Sequence, residues 1–212
     1  MKIPIVTAML CTLALSCGPP PPPRYTPLEG ADPIRADPGQ ATVVFIRPSD
    51  ASERLDFWVI DETGSVLGFC GPKTYFAARV KPGKHLFATG IAPWAGIGDT
   101  PGLRGDLRAG KIYYVEVGFG GHVSATSWMA VLLYAVGPKR PQWAKLPGWL
   151  GESRQVSPDA EIAARFFEGT DTSTILRSAK EYVDERERSN IDKHTLLDAD
   201  GVASAVSPAS AP

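Results

Sequence analysis

The sequence is poor in the side chains that bind transition metals. It has three histidines and three cysteines among 212 residues, and neither a His-x-x-x-His nor a Cys-x-x-Cys spacing occurs. His85, His122 and His194 stand far apart in the chain. Structural and catalytic metal centres need clusters of imidazole and thiolate ligands. The sequence therefore predicts no dedicated metal site, and we expect no cofactor.

Motifs that mark catalysis or phosphate binding are also missing. No Gly-x-Ser-x-Gly elbow is present to position a nucleophile, and the glycine-rich residues 94–102 lack a Gly-Lys-Ser/Thr sequence. A hydrolase would have to combine His122 with Ser124 and Ser127, a grouping that arises by chance in any loop. We expect no enzymatic activity, and a hydrolase is the weaker alternative. Residues 94–102 are interpreted as a hairpin loop in which Trp94 is a candidate ligand contact.

Charge of one sign and long hydrophobic runs are lacking too. Lys and Arg total 22 against 23 Asp and Glu, which gives a net charge of −1. Nucleic-acid-binding domains usually carry a basic patch, so we expect no nucleic-acid partner. The apolar residues 3–15 are too few for a membrane-spanning helix, which needs about 20 residues.

The N-terminal residues instead have the pattern of an export signal. Lys2 precedes the apolar stretch, as in a secretory signal peptide. Residues 13–17 read LALSC, which resembles a bacterial lipobox. The resemblance implies cleavage after residue 16 and lipidation of Cys17, whose acyl chains would hold the protein on a membrane. Gly18 after the cysteine favours the outer membrane. The alternative is an ordinary signal peptide that is cleaved elsewhere.

Proline is concentrated directly after Cys17. Five consecutive prolines occupy residues 19–23, and Pro27, Pro33 and Pro38 follow. Consecutive prolines favour the polyproline II conformation, which rises about 3.1 Å per residue. We interpret residues 17–39 as the lipidated cysteine and a semi-rigid tether. The alternative is that the prolines are a ligand for a proline-recognition domain.

Eight short β-type runs separated by glycine and proline turns fill residues 40–137. They are residues 41–47, 55–60, 65–70, 74–80, 85–91, 103–107, 112–119 and 127–136. Pro82-Gly83 and Gly110 supply turns before two of the runs. The pattern predicts a mainly β domain, an immunoglobulin- or transthyretin-like β-sandwich followed by two C-terminal helices. The nearly continuous apolar character of the last run predicts a central strand buried on both faces.

Three motifs in this region resemble an uncharacterised family of bacterial lipoprotein domains. They are the strand that ends in Arg47-Pro48, the Pro-Gly-Lys-His turn at residues 82–85, and the Gly-Lys-x-Tyr-Tyr strand at residues 110–114. The resemblance covers about residues 39–119 and implies a small β-sandwich. It brings no catalytic residue with it.

Residues 138–156 combine basic side chains with Trp143 and Trp149. Such mixtures suit membrane interfaces and glycans, but they also occur in straps whose aromatic rings cover a core. We favour the strap. Together with Trp94 and His122, the two tryptophans are the candidate ligand contacts. Cys70, the one cysteine left after processing and lipidation, is interpreted as a small buried apolar residue rather than a reactive thiol.

Two helices are predicted in residues 157–197. Ser157 and Pro158 are suited to the start of the first, at residues 159–167. The second spans residues 172–188 with an apolar stripe, which favours a helix docked on the sandwich over a partner-binding helix. The stripe consists of Ile175, Leu176, Ala179, Tyr182 and Val183. Residues 198–212 are rich in Ala, Ser and Pro and are predicted to be a disordered tail.

These observations together predict a lipid-anchored protein of the bacterial cell envelope. The lipid on Cys17 would provide the membrane contact, and the β-domain would act as a binding or scaffolding module for an envelope protein. The alternative is recognition of cell-wall glycan or another small ligand.

Overall fold

The computed structural model describes residues 24–30, 33–51, 55–91, 100–120, 130–189 and 192–208. The predicted signal peptide, Cys17, Trp94 and His122 lie outside these residues. None of the helices in the described part of the chain is both long and apolar enough to cross a membrane.

The fold is mainly β, and the described residues form two sheets. The strands are β1 (Tyr25–Pro27), β2 (Ala41–Arg47), β3 (Phe57–Ile60), β4 (Val66–Cys70), β5 (Thr74–Val80), β6 (Gly83–Gly90), β7 (Gly102–Leu107), β8 (Ile112–Gly120), β9 (Ala130–Val136), β10 (Arg154–Pro158) and β11 (Thr195–Leu196). The first sheet has the order β1-β10-β5-β2-β8-β9, and the second has the order β11-β7-β6-β3-β4. β2 pairs antiparallel with β5 and parallel with β8 at the centre of the first sheet.

The strands predicted from the sequence are confirmed as β2 to β9, with ends that differ by a few residues. Gly83 and Gly110 have the positive φ values, +129° and +74°, that their turns require. The predicted central position of the last run is wrong, because β9 lies at the edge of the first sheet, where β8 is its one neighbour among the described strands.

The inner faces of the two sheets share one apolar core. Phe45 on β2 stacks on Phe76 with ring centroids 5.1 Å apart and meets Phe87 edge-on at 5.4 Å. Residues from both sheets, including Val59 on β3 and Leu133 on β9, are fully buried in the same cluster. Burial of these side chains is the main favourable contribution to the free energy of folding.

Two helices cover the outer face of the second sheet. They are α2 (Ala160–Arg165) and α3 (Thr172–Arg188). Ile175 and Ala179 on α3 are buried against Trp58 and Ile60 of β3, so the predicted docking of this helix is confirmed. Asp171 caps α3, because its carboxylate accepts a hydrogen bond from the backbone N–H of Ser173. The predicted start of α2 is wrong. Asp159 is its cap, whereas Ser157 and Pro158 belong to β10, where they pair with β1.

The outer face of the first sheet is covered by a short helix and the C-terminal segment. Leu146 and Leu150 of α1 (Leu146–Glu152) are buried there, after a 3₁₀ turn at Pro141–Lys145. Val202 exchanges backbone hydrogen bonds with Ile112 at the start of β8. The prediction of a disordered tail is therefore wrong for residues 198–208, which bury apolar side chains and bond to the sheet; residues 209–212 lie outside the described part.

The sheets also include segments that the sequence analysis placed outside the β-domain. β1 lies within the predicted tether, β10 crosses the end of the predicted strap, and β11 follows the helices. The backbone N–H of Asp159 donates to the carbonyl of Arg24, so residue 24 already belongs to the fold, ahead of the predicted boundary at residue 40. The predicted tether is correspondingly too long.

Candidate functional site

Arg47, from the first of the three motifs, has a structural role. Its guanidinium is fully buried and donates to the backbone carbonyls of Leu55, Ala51 and Cys70. Cζ lies 4.0 Å from the ring centroid of Phe57, which is a cation–π contact. Desolvation lowers the pKa of Arg47, but the residue stays charged at neutral pH. Arg47 therefore holds together the chain that follows β2 instead of facing a ligand.

The second and third motifs are structural as well. His85 Nδ1 lies 3.0 Å from Glu62 Oε1, and Nε2 lies 2.7 Å from the carbonyl oxygen of Lys81. Both ring nitrogens of His85 therefore have hydrogen-bond partners within the fold. The hydroxyl of Tyr113 accepts a hydrogen bond from the backbone N–H of Arg108 at 2.9 Å. These contacts fix turns at the ends of strands.

Cys70 is fully buried in the core between the sheets. Its Sγ lies 3.8 Å from the carbonyl oxygen of Phe45. Burial raises the pKa of the thiol well above its usual range. Because the thiolate is the reactive form, the interpretation of Cys70 as a small apolar residue is confirmed.

Trp143 and Trp149 pack on the outer face of the first sheet. Both are partly buried against the cluster that contains Leu146 and Leu150. The Trp143 ring meets Tyr114 of β8 edge-on, with centroids 6.1 Å apart. These contacts are those expected of a strap. The two rings cover apolar surface and do not form an open stacking platform.

His194 is a buried residue that sequence reasoning did not place. Its Nδ1 lies 2.9 Å from the carbonyl oxygen of Leu133 on the edge strand β9, and Nε2 lies 3.3 Å from the hydroxyl of Tyr182. Desolvation, assisted by Lys193 and Arg186, lowers the pKa of His194 to about 4. The ring is therefore neutral near pH 7 and joins the C-terminal segment to β9 and α3.

No group of three or more metal-ligating side chains converges within the described residues. A groove runs along the outer face of β5. Successive side chains of a strand alternate between its faces, so Tyr75, Ala77 and Arg79 form the floor of this groove. Ala77 is exposed, which means that the layer over the first sheet has a gap at this strand.

Two adjoining cavities make up the groove, with volumes of about 540 and 640 Å³. Leu28, Pro33, Ile34 and Gln155 line both of them. The first cavity is mainly apolar and extends between Tyr75, Leu150 and the C-terminal residues 205–208. Cavities of this size accommodate small organic ligands.

The charged side chains of the groove line the second cavity. Arg35 and Arg79 line it together with Glu29, and all three side chains are exposed. Neither arginine has a carboxylate within ion-pair distance in the described part of the chain. The groove thus changes from apolar at Tyr75 to cationic at Arg79.

The sequence analysis did not find this groove. The sequence does contain an alternating pattern that indicates β5. Tyr75, Ala77 and Arg79 alternate there with three buried residues, Phe76, Ala78 and Val80. This pattern does not show that α1 and the C-terminal segment leave the outer face of the strand open, because that depends on contacts between distant segments. Comparison with known protein families finds no family that matches the chain, and comparison with curated proteins finds no match in sequence.

Proposed function

We propose that the chain is a bacterial envelope lipoprotein, anchored to the outer membrane through Cys17, whose domain binds a ligand in the groove along β5. The observation that carries the proposal is the position of this groove beside the N-terminal end of the fold. Leu28 follows β1 immediately, and its backbone N–H donates to the carbonyl of Gln155 at 3.0 Å. A groove wall therefore lies a few residues from the chain that leads to Cys17.

The distance between the anchor and the fold is short. Because Arg24 already belongs to the fold, six residues separate it from Cys17. A fully extended chain spans at most about 3.6 Å per residue, so this stretch reaches no further than about 25 Å. An anchored domain would hold the N-terminal end of its sheet close to the membrane surface.

The chain provides a matched pair of cysteines for testing the anchor. The test is expression of the full chain in a Gram-negative bacterium, followed by membrane fractionation and mass spectrometry of the N-terminal peptide. Cys17→Ser is expected to abolish the lipid adduct and release the protein from the membrane. Cys11→Ser, six residues earlier, is expected to leave both unchanged. A soluble wild-type chain without a lipid adduct would refute the proposal.

The finer fold class and the family resemblance belong to the same proposal. We propose an immunoglobulin- or transthyretin-like sandwich related to the uncharacterised lipoprotein domains. Support comes from the two sheets with a common core and from the positions of the three motifs, which stabilise β2, the turn before β6, and β8. An experimental structure with a different strand connectivity would argue against this class.

Binding in the groove along β5 is better supported than the alternative, in which Trp143 and Trp149 recognise a glycan. Trp143 and Trp149 pack on the apolar face of the first sheet, whereas the groove is open and contains exposed arginines. An envelope protein as a further partner stays a prediction.

A further inference from the structure

We infer that the groove along β5 binds a single anionic lipid from the membrane that carries the anchor. The acyl chain would lie on Tyr75 and Leu150, and the headgroup would meet Arg35 and Arg79. This inference rests on the proposed function, because only the anchor places the groove beside a membrane. It identifies a ligand class from the chemistry of the two cavities.

The apolar end of the groove has an exposed hydrophobic rim. Among the described residues, two large hydrophobic side chains are exposed, Leu28 at 42 % and Leu197 at 46 %. Leu28 projects beside the half-buried Ile34 and Val206, so it extends an apolar surface that is already partly formed. An acyl chain would cover this surface and remove it from water.

The cationic end of the groove matches an anionic headgroup. Arg35 and Arg79 face the cavity with one carboxylate, Glu29, in the same lining, so the local charge is positive. The planar guanidinium group donates paired hydrogen bonds to phosphate oxygens. Thr42, opposite Arg79 in the strand register, also lines this cavity.

The separation of the two ends suits one amphiphilic molecule. Tyr75 and Arg79 are four residues apart on the same face of β5, which corresponds to about 13 Å at the usual rise of a strand. A free phosphate would use only the cationic end, and an apolar peptide would use only the other end. A lipid with an anionic headgroup uses both.

The length of the N-terminal stretch favours a lipid of the same membrane over a dissolved amphiphile. The residues from Cys17 to Arg24 reach no further than about 25 Å, and Leu28 follows β1 directly. The rim of the groove is therefore held near the bilayer, where lipids are the most concentrated amphiphiles.

Photo-crosslinking in living cells tests the occupant with the full anchored chain. The photoreactive residue p-benzoylphenylalanine replaces Leu28 in one variant and Leu197 in a matched control. Both positions are exposed leucines, but Leu197 lines a different cavity, beside β7 and β11. After irradiation, mass spectrometry identifies the molecule joined to each position. We expect phospholipid adducts at position 28 and none at position 197.

Two further variants probe the two ends of the groove. Arg79→Glu is expected to reduce anionic-lipid adducts at position 28 about tenfold, since it removes a charge-assisted hydrogen bond and adds repulsion. Ala77→Trp should block the floor of the groove and abolish the adducts. Lys84→Glu is a control for the loss of a positive charge outside the groove, and it should leave the adduct yield unchanged.

The outcomes separate this inference from the proposed function. A chain that does not fractionate with membranes refutes the anchor and the lipid together. If the chain is membrane-bound, four results refute the bound lipid and leave the anchor standing. Position 28 gives no lipid adduct, or positions 28 and 197 give equal yields. Alternatively, position 28 is joined to a protein or glycan, or to the acyl chains on Cys17. Lipid adducts that persist in full with Ala77→Trp would also overturn the inference.

Discussion

Arg140 and Asp200 form a bidentate ion pair, with Nε 2.8 Å from Oδ1 and Nη2 2.7 Å from Oδ2. Both side chains are nearly buried, at 9 % and 4 % exposure. The carboxylate also accepts the backbone N–H of Leu197, and Arg140 donates to the carbonyl of Thr195. The pair therefore joins the C-terminal segment to the chain between β9 and α1.

Replacing Asp200 is expected to destabilise the fold strongly. Asp200→Ala leaves the Arg140 guanidinium buried without its carboxylate, and removal of one partner from a buried pair costs about 3 to 5 kcal/mol. The free energy of unfolding in urea measures this loss. Asp198→Ala is the matched control, because the Asp198 side chain is 59 % exposed and its bond to Lys111 is accessible to solvent. Equal losses in the two variants would contradict the structural role of the buried pair.

Arg47 offers a second test of a buried cation. Arg47→Met removes the donors to the carbonyls of Leu55, Ala51 and Cys70 while keeping an apolar side chain beside Phe57. We expect the free energy of unfolding to fall by about 2 to 4 kcal/mol. Arg79→Met, at an exposed position on β5, should change it by no more than about 0.5 kcal/mol. A stable Arg47→Met protein would show that other groups satisfy these carbonyls.

The buried His194 side chain is expected to make the folded protein less stable on acidification. Its pKa is lowered to about 4 in the fold, against about 6.5 in an unfolded chain. The unfolded state therefore binds the proton more readily, so the contribution of His194 to stability is complete above pH 6.5 and declines towards pH 4. We expect this decline to be about 3 kcal/mol.

The measurement is the free energy of unfolding between pH 7 and pH 4 for the wild type and His194→Gln. The variant is expected to be less stable at pH 7, because the hydrogen bonds to Leu133 and Tyr182 change, but its stability should depend less on pH. Carboxylates titrate in both proteins, so the difference between the two curves isolates the imidazole. Parallel curves would show that His194 does not titrate in this range.

Two glycines are expected to respond to alanine with opposite signs. A Cβ at Gly102 on β7 would lie 2.5 Å from the carbonyl oxygen of Ala179, so Gly102→Ala must push α3 away from the sheet. We expect a loss of about 1 to 3 kcal/mol. A Cβ at Gly148 in α1 would have no neighbour within 4 Å, and Gly148→Ala should add about 0.5 kcal/mol through helix propensity. Thermal unfolding of both variants measures the signs, and stabilisation by Gly102→Ala would contradict the close packing of α3.

The sequence was most informative where structure depends on neighbouring residues. β2 to β9 were predicted because β-branched and aromatic runs between glycine and proline turns are local signals. β1 and β10 were missed, since both are short and contain prolines and their pairing joins opposite ends of the chain. The Arg140–Asp200 pair and the groove along β5 depend on similarly distant contacts.

The misplacement of β9 has a specific physical cause. An apolar run on both faces of a strand was interpreted as a strand with neighbours on both sides. In the fold, Leu133 faces the core, while Tyr134 on the opposite face packs against His194 with ring centroids 5.3 Å apart and the rings tilted by 33°. The apolar pattern therefore reports two covered faces and gives no information about how many strands lie beside it.

The pairing of β1 with β10 also determines when the N-terminal end of the domain can form. Tyr25 is paired with Pro158, so the first strand has no partner until most of the chain has been synthesised. Long-range strand pairing of this kind is slow and leaves strand edges exposed in folding intermediates. If the chain is exported as proposed, its N-terminal residues would cross the membrane before β10 is available to pair with β1. Under the proposed lipidation of Cys17, the modification would therefore precede the completion of this end of the sheet.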